Sequence, residues 1–240
     1  MQIYGMTDVG CVRSNNQDTI FYTEYPVGNL PNLAIVADGM GGHNAGELAS
    51  SFTIEEFCKS VERNENVNPV TIMKQGLFEV NALLRKKAKE REEYKGMGTT
   101  FVGAVFKDGQ LYVANVGDSR LYMIDDDIQQ ITLDHSLVQE LVRDGKLDEK
   151  SAKNHPDKNI ITRAVGAEEH LIPDFYQVEL KEKVLLCSDG LSNMVDDLEI
   201  YDIIKNYPIK EAVEKLVEKA RYYGGKDNIS VIIIAAKEAK

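Results

Sequence analysis

Residues 33–49 read LAIVADGMGGHNAGELA, an apolar run that ends in Asp38 and is followed by three glycines and a histidine. This order of residue types predicts a β-strand, then a sharp glycine-rich turn, then a helix from Asn44. Because glycine has no side chain to block the backbone, a carbonyl group in such a turn can face an ion. An ordinary strand-to-helix loop would have a similar sequence, so this motif alone leaves both interpretations open.

Several other aspartates stand at the ends of β-type runs. Asp118 follows LYVANVG and Asp189 follows VLLCS, whereas Asp18 and Asp227 directly precede TIFYTEY and NISVIIIAA. If these side chains converged, their like charges would repel each other unless a cation were bound. Oxygen ligands without a His or Cys set favour Mg²⁺ or Mn²⁺ over structural zinc. Each single Asp beside Gly or Asn is ordinary turn chemistry, and only their coincidence favours a metal site.

The composition argues against several classes of partner. The chain has 39 acidic and 28 basic side chains, and the resulting net charge of −11 argues against a nucleic-acid surface or a basic membrane anchor. Cys11, Cys58 and Cys187 form neither an even disulfide framework nor a CxxC pair, so we expect a reducing, cytoplasmic compartment. No apolar stretch approaches the ~20 residues of a membrane span, and the first residues lack a signal-peptide pattern.

Short β-type runs alternate with blocks of helical periodicity along the chain. Apolar residues recur at helical spacing after Pro69 and again in IKEAVEKLVEKARYYGG, and Asp108-Gly109 is a strong hairpin signal between two strands. Tight links of this kind predict antiparallel pairing, and we therefore expect an α+β architecture with two sheets. We expect one domain over residues 1–240, although two small domains would also fit this length. A polar stretch at about 135–170 has weak periodicity and is expected to form an excursion beside a site.

Six short motifs occur in a fixed order along nearly the whole chain. They are TDVGCVRSNNQD (7–18), VADGMGGHNAGE (36–47), GTT (98–100), ANVGDSR (114–120), CSDGLSN (187–193) and KDNIS (226–230). Each motif is weak alone, but together and in this order the chain resembles the metal-dependent type 2C (PPM family) serine/threonine protein phosphatases in their bacterial form. The resemblance implies a four-layer α-β-β-α sandwich, in which two antiparallel sheets are flanked by helix pairs. It also identifies the stretch at about 135–170 with the flap that lies beside the family's active site.

The resemblance implies a centre of two Mn²⁺ or Mg²⁺ ions between the sheets, and a third ion in some bacterial members. Asp38 would bridge the two ions and Gly39 would offer its carbonyl oxygen. The other metal ligands implied are Asp189 and Asp227 for the first ion, Asp18 for the second, either directly or through a water, and Asp118 with Asp189 for the third. Gln17 stands where many relatives have a glutamate, and an amide carries no charge, so we expect weaker binding of the second or third ion.

Three further residues receive roles from the resemblance. Arg13 would bind the substrate phosphate, for which a planar guanidinium that stays charged is well suited. His43 would donate a proton to the leaving oxygen, with helix capping or positioning of a water as the alternatives. Asn228 would orient a water or a ligand carboxylate. Without the resemblance, an Arg on a solvated loop and a His after glycines would need no function at all.

The resemblance implies hydrolysis of phosphoserine and phosphothreonine in proteins by a metal-bridging hydroxide, without a covalent phosphoenzyme. Neither a Cys-x5-Arg loop nor a DxDxT motif is present, which argues against two other phosphatase classes.

Two alternative functions remain, which are a catalytically silent relative that only binds phosphoproteins and a structural Ca²⁺ site. The intact acids argue against the first alternative, and Arg13 with the glycine turn argues against the second. Expected partners are phosphoproteins and a cognate serine/threonine kinase, without nucleic acid or membrane, and monomer is the default state.

Overall fold

The structure is a computed structural model that describes residues 1–42, 45–153 and 155–236. His43, Asn44, Asn154 and residues 237–240 lie outside the described residues. No helix within the described ranges is long and apolar enough to cross a membrane.

Two antiparallel sheets form the centre of the fold. The first has the order β1-β11-β10-β7-β8, and the second has the order β2-β3-β5-β6-β9 with β4 paired to β3. The strands are β1 (Gln2–Asp8), β2 (Asp18–Thr23), β3 (Leu33–Met40), β4 (Gly98–Thr99), β5 (Phe101–Lys107), β6 (Gln110–Val116), β7 (Arg120–Ile124), β8 (Ile128–Gln130), β9 (Asp174–Glu179), β10 (Lys183–Cys187) and β11 (Ile229–Ala235).

Helices cover the outer face of each sheet. All helices in the described part of the chain are α1 (Ala45–Glu62), α2 (Pro69–Lys87), α3 (Leu137–Arg143), α4 (Glu149–Lys153), α5 (Asp189–Ser192), α6 (Asp197–Asn206) and α7 (Ile209–Tyr222), with a short 3-10 turn at Glu92–Tyr94. The pair α1 and α2 packs on the sheet that contains β3, and α7, paired with α6, packs on β1 and β11. The predicted four-layer α-β-β-α sandwich is therefore confirmed.

Strands that are buried on both faces explain the continuous apolar runs in the sequence. In β3, Ile35 and Ala37 contact the α1/α2 layer, whereas the alternate residues Ala34 and Val36 face the other sheet. Successive side chains of a strand point to opposite faces, so both faces of a central strand must be apolar. The core between the sheets consists of Ala34, Val36, Val102, Ala104, Leu111, Val113, Leu121, Met123, Val184, Leu186, Ile232 and Ile234.

Local sequence signals are confirmed at several element boundaries. Asp108 and Gly109 both have positive φ angles, 52° and 77°, as the tight β5–β6 hairpin requires. Asn68 caps α2, because its side chain accepts a hydrogen bond from the backbone of Thr71. Helix α7 ends before Gly224, whose φ of 122° a residue with a side chain would rarely adopt.

The stretch at 135–170, called the flap segment below, leaves and rejoins the sandwich close to β4 and β6. The backbone N–H of His135 donates to the carbonyl oxygen of Gly117, and Thr99 and Val165 exchange backbone hydrogen bonds. Helices α3 and α4 lie in this segment. The segment therefore begins and ends beside the turn that carries Asp118.

Candidate active site and metal centre

Asp18 and Asp38 face each other across the second sheet. They are direct partners in the antiparallel register of β2 and β3, so the pairing of the strands brings both carboxylates to one place. Asp38 is held through its backbone, because its N–H donates to the Thr100 hydroxyl and its carbonyl oxygen accepts from the Thr100 N–H, at 2.9 and 2.8 Å. The GTT motif therefore fixes the strand end that carries Asp38.

Asp189 and Asp227 come from the first sheet. Asp189 begins α5 after β10, and Asp227 precedes β11, which pairs with β10. Asn193, one turn later in the same motif, donates its side-chain N–H to Asp189 Oδ2 at 2.8 Å. A Cβ on Gly190 would stand only 1.9 Å from the carbonyl oxygen of Asn228, so the close approach of these two motifs requires a glycine.

Asp118 lies in the turn between β6 and β7, where the chain passes from one sheet to the other. Gly117 has a φ of 103°, which places this turn in the left-handed region that favours glycine. The ring of the buried His135 supports the turn, because its Nδ1 accepts a hydrogen bond from the Gly117 N–H at 3.1 Å. The sequence signalled no role for His135, which here positions the backbone next to Asp118.

The five aspartates form one electrostatic cluster. Burial raises the pKa of Asp38 well above its ordinary value, and the charges of the other four, Asp18, Asp189, Asp118 and Asp227, raise it further. Burial also raises the pKa of Asp18 to about 7 and that of Asp189 to about 6. The pKa of Asp118 is raised by burial and then by the charge of Asp189. The structure thus brings together every carboxylate that the sequence assigned to metal ligation.

Two carboxylate oxygens in this cluster have no hydrogen-bond partner among the residues that the structure describes. Asp18 Oδ1 and Asp189 Oδ1 are buried without a donor, although Ser188 donates to Asp18 Oδ2 at 2.7 Å. An unpaired buried oxygen is costly, and a divalent cation with oxygen ligands would satisfy both atoms and offset the repulsion. Among the residues that the structure describes, no group of three Asp, Glu, His or Cys side chains has the geometry of a metal-binding site as it stands. The donor set and the unpaired oxygens nonetheless fit hard divalent cations.

Arg13 lies on the loop after β1 and reaches the cluster. Its guanidinium forms an ion pair with Asp227 Oδ2 at 2.8 Å, and 51% of its side chain is exposed. The hydrogen bond and charge of Asp227 raise the pKa of Arg13 despite the opposing effect of its burial. A half-exposed cation beside the acids can contact an incoming phosphate, as the sequence predicted for this residue.

Asn228 holds the loop that carries Arg13. Its side-chain N–H groups donate to the carbonyl oxygens of Val9 and Asn15, and its Oδ1 accepts from the backbone N–H of Gln17. These side-chain hydrogen bonds go to the backbone of the loop, whereas the sequence predicted a water or a ligand carboxylate as the partner of Asn228. Its own backbone N–H donates to Asp227 Oδ1 at 2.9 Å.

Gly39 is required by the packing of β3 against α1. A Cβ at Gly39 would stand 1.9 Å from the carbonyl oxygen of Gly46, and a Cβ at Gly46 would stand 2.6 Å from that of Gly39. The Gln17 side chain packs at the same point, 2.7 Å from the position of a Gly46 Cβ. His43, the predicted proton donor, lies outside the described residues.

A protein phosphatase 2C family model matches residues 12–230 of the chain, which include all five aspartates and Arg13. The chain belongs to the protein phosphatase 2C family. It is therefore a serine/threonine protein phosphatase and a metal-dependent hydrolase, and the predicted family and activity are confirmed.

Curated bacterial relatives align over almost the whole chain. The serine/threonine phosphatase Stp of Listeria monocytogenes serovar 1/2a is 38% identical over 238 residues, which are 95% of this chain and 93% of that protein. The protein phosphatase PhpP of Streptococcus pneumoniae strain D39 is 38% identical over 244 residues, 99% of this chain and 98% of that protein.

Solved phosphatase structures have the same fold as this 2C-type chain. The serine/threonine phosphatase Stp1 of Staphylococcus aureus has a TM-score of 0.91 and 35% identity, and covers 98% of this chain and 95% of its own. The catalytic domain of the phosphatase PstP, solved in complex with two manganese ions, has a TM-score of 0.82 and 30% identity over 97% of this chain and 96% of its own.

Proposed function

We propose that Asp18, Asp38, Asp118, Asp189 and Asp227 hold two Mn²⁺ or Mg²⁺ ions, and a third ion through Asp118 and Asp189, and that this centre hydrolyses phosphoserine and phosphothreonine. The observation that supports the proposal best is the pair of buried oxygens Asp18 Oδ1 and Asp189 Oδ1, which have no hydrogen-bond partner among the described residues, on two aspartates whose pKa values are raised by burial. The PstP structure with two manganese ions supports Mn²⁺ as the ion and two as the number.

Each protein group has a separate task in this proposal. When bound, the cations lower the pKa of a water to make a nucleophile and offset charge on the phosphoryl oxygens. Asp38 and Gly39, on the rigid end of β3, contribute a carboxylate and a carbonyl oxygen. Arg13 exchanges part of its contact with Asp227 for the substrate phosphate and orients it. His43 donates a proton to the leaving seryl or threonyl oxygen.

The cellular context is also part of the proposal. Phosphoproteins are the substrates, because one curated relative is named a serine/threonine phosphatase and another a protein phosphatase. We infer that a serine/threonine kinase of the same cell makes these substrates, that the chain acts as a monomer in the cytoplasm, and that residues 1–240 form one catalytic domain with the flap segment beside the centre.

Replacement of one ligand tests the metal site. We expect Asp38→Asn to lower metal-dependent hydrolysis of p-nitrophenyl phosphate and a phosphothreonine peptide by at least about 100-fold, since even residues behind a metal ligand affect activity by 10- to 100-fold. The fold should survive, because the substitution removes a repelling charge and preserves the side-chain shape. Purified protein would be assayed in EDTA and then with added Mn²⁺ or Mg²⁺.

Asp108→Asn is the matched control for this experiment. It makes the same chemical change in the β5–β6 hairpin, where Asn also tolerates a positive φ, and should leave hydrolysis unchanged. Full turnover by Asp38→Asn would contradict the site. Metal binding by the unmodified protein without turnover of either substrate would favour a silent phosphoprotein-binding relative instead.

A further inference from the structure

A cleft of about 200 Å³ opens beside Asp189 and Asp227. One wall is the flap segment, which contributes Lys158, and the other is the body of the sandwich, which contributes Asn193 and Lys226. The cleft is smaller than the roughly 300–1,000 Å³ typical of pockets for small organic ligands and cofactors. Its size and its position next to the proposed metal centre suit one side chain of a bound protein substrate.

Lys158 and Lys226 form no ion pair with a carboxylate of the described residues, although the positive charge of Lys158 opposes the rise that burial causes in the pKa of Asp189. Lys158 Nζ donates to the neutral Asn193 Oδ1 at 3.0 Å, and no ion pair of Lys158 occurs among the residues that the structure describes. Lys226 is exposed and has neither a hydrogen bond nor an ion pair in those ranges. Several other lysines are paired with acids, as Lys59 is with Glu55 and Glu56. The two cleft lysines are therefore free to receive an anion.

The acids that line the cleft do not supply this anion in the working enzyme. Asp189 and Asp227 are the carboxylates proposed to hold the cations, so their negative charge is offset when the centre is loaded. The ammonium groups of Lys158 and Lys226 then give the cleft itself a net positive charge, which favours an anionic group over a cationic or apolar one.

Asn193 gives Lys158 a defined position. Its Oδ1 accepts from Lys158 Nζ while its Nδ2 donates to Asp189 Oδ2 at 2.8 Å, so one side chain links the flap segment to a proposed metal ligand. A hydrogen bond to a neutral amide holds the ammonium in place without cancelling its charge. Arg13, the ion-pair partner of Asp227, is already assigned to the reacting phosphate. The charge of the two lysines is thus available to a second group of the substrate.

We propose that this cleft is a subsite for an acidic side chain, Asp or Glu, close in sequence to the phosphoserine or phosphothreonine, with Lys158 and Lys226 as its cationic partners. The proposal rests on the proposed function, because the phosphate must sit at the aspartate centre for its neighbour to reach the cleft. It makes the enzyme selective for phosphorylation sites in acidic surroundings.

Two phosphothreonine peptides test this selectivity. One carries Glu at the two positions on each side of the phosphothreonine, and the other carries Gln there. We expect the unmodified enzyme to show a kcat/KM about three- to tenfold higher for the Glu peptide, as two partly exposed charge pairs would produce. The preference should shrink as salt concentration rises, because exposed pairs are screened.

The variants Lys158→Gln, Lys226→Gln and their combination should bring the ratio of the two kcat/KM values close to one. Lys89→Gln is the matched control, since it makes the same charge change at an exposed lysine just after α2, outside the cleft, and should keep the preference. The two peptides are compared within each variant, because a general loss of rate lowers both kcat/KM values equally and leaves their ratio unchanged. The affinities of the same peptides with a methylene in place of the ester oxygen, measured by calorimetry on the metal-loaded enzyme, should show the same ratios without turnover.

Three results would overturn the proposal. The first is an equal kcat/KM for both peptides with the unmodified enzyme, and the second is a preference that survives in the double variant. The third is that the lysine variants lose activity equally toward both peptides and p-nitrophenyl phosphate, which would show that the lysines bind the reacting phosphate itself. Failure of the proposed function is distinguishable, because the unmodified enzyme would then hydrolyse none of these substrates with any added metal.

Discussion

At the scale of single residues, the site is defined by carboxylates whose ionised form is unfavourable. Asp18 shows the cause, because it is buried, its Oδ2 accepts a hydrogen bond from Ser188, and its Oδ1 has no donor within the described part of the chain. Desolvation raises its pKa to about 7, and the charges of Asp189 and Asp227 also act to raise it. Raised pKa values that coincide with unpaired buried oxygens indicate a functional cluster more strongly than either feature does alone.

Arg13 carries a prediction at this scale. Arg13→Ala should raise KM for a phosphothreonine peptide about tenfold or more, because a charge-assisted hydrogen bond to phosphate is lost, and should lower kcat less. Steady-state kinetics at saturating metal would measure both constants. Arg63→Ala is the control, since Arg63 is also an exposed arginine in an ion pair, with Glu79 on α2, and should leave KM unchanged. An unaltered KM in Arg13→Ala would reject the phosphate-binding role.

The candidate residues could largely be predicted from the sequence, but their partners could not. All five aspartates and Arg13 occur in recognisable motifs, and the structure places them together. The support of the Gly117 turn by His135, in contrast, joins positions 18 residues apart, with β7 and β8 between them, at the start of a segment that has weak periodicity. No local pattern of residues reports a contact of that kind.

At the scale of elements, the strand-turn-helix unit β3–α1 positions Asp38 in the acidic cluster. Gly39 and Gly46 lie so close that neither tolerates a Cβ, and this contact brings the start of α1 against the end of β3. The sequence predicted the strand, the turn and the helix, but it attributed the glycines to freedom of the backbone. The structure adds a second reason at Gly39 and Gly46, which is the close packing of two backbones.

Gly46→Ala tests this packing. Alanine favours a helix over glycine by about 1 kcal/mol, but the new Cβ would overlap the Gly39 carbonyl oxygen, and overpacking costs about 1–3 kcal/mol. We expect a net loss in the free energy of unfolding and a weaker affinity for Mn²⁺, because the clash displaces the strand end beside Asp38. Urea unfolding and calorimetric titration would measure the two effects.

Gly42→Ala is the control in the same turn. A Cβ there meets no atom of the described residues within 4 Å, so both stability and metal affinity should be retained. If Gly46→Ala bound Mn²⁺ as tightly as the unmodified protein, the β3–α1 contact would not position the centre.

Elements with strong periodicity were the predictable ones. Helix α7 buries Val213, Leu216 and Val217 at helical spacing, and the sequence shows this directly. The sequence pattern did not predict helix α6, because only Ile200 and Ile204 are buried in its ten residues. A short helix with two buried positions has too few repeats to establish a period.

At the scale of the whole molecule, the acidic cluster joins the two sheets. Asp18 and Asp38 belong to one sheet, whereas Asp189 and Asp227 adjoin strands of the other. Each sheet also packs on its own helix layer, so the cluster and the apolar core between the sheets are what connect the two halves. Ions bound by ligands from both sheets should therefore stabilise the entire fold.

The pH dependence of stability follows from this arrangement. The pKa of Asp18 rises from 3.8 to about 7 on folding, so the folded state holds its proton more tightly than the unfolded chain. This contribution to stability is complete below about pH 4 and is lost as the pH rises through 7. In EDTA we expect the thermal midpoint to fall between about pH 5 and 8, and added Mn²⁺ should raise it more at the upper end of this range than at the lower.

The variant Asp18→Asn separates the contribution of Asp18 to the pH dependence of stability from the contribution of His135. The pKa of His135 is lowered by burial, and that group alone would make stability rise with pH through its ordinary value of 6.5. Asp18→Asn should therefore flatten the fall of the midpoint in EDTA while it preserves the contribution of His135. A midpoint in EDTA that is constant or rises over the same pH range in the unmodified protein would contradict the prediction.

The sequence by itself determined the strands, the long helices, the hairpin at Asp108 and the identity of the acids, because these depend on the types of neighbouring residues and their spacing. Only the tertiary structure decided which oxygens remain unpaired, that Arg13 pairs with Asp227, and that Lys158 lies against Asn193. These contacts join loops, strand ends and the flap segment, which only the folded chain brings together. The hydrogen bond from Ser188 to Asp18 spans 170 residues, a separation at which local periodicity carries no information about distance.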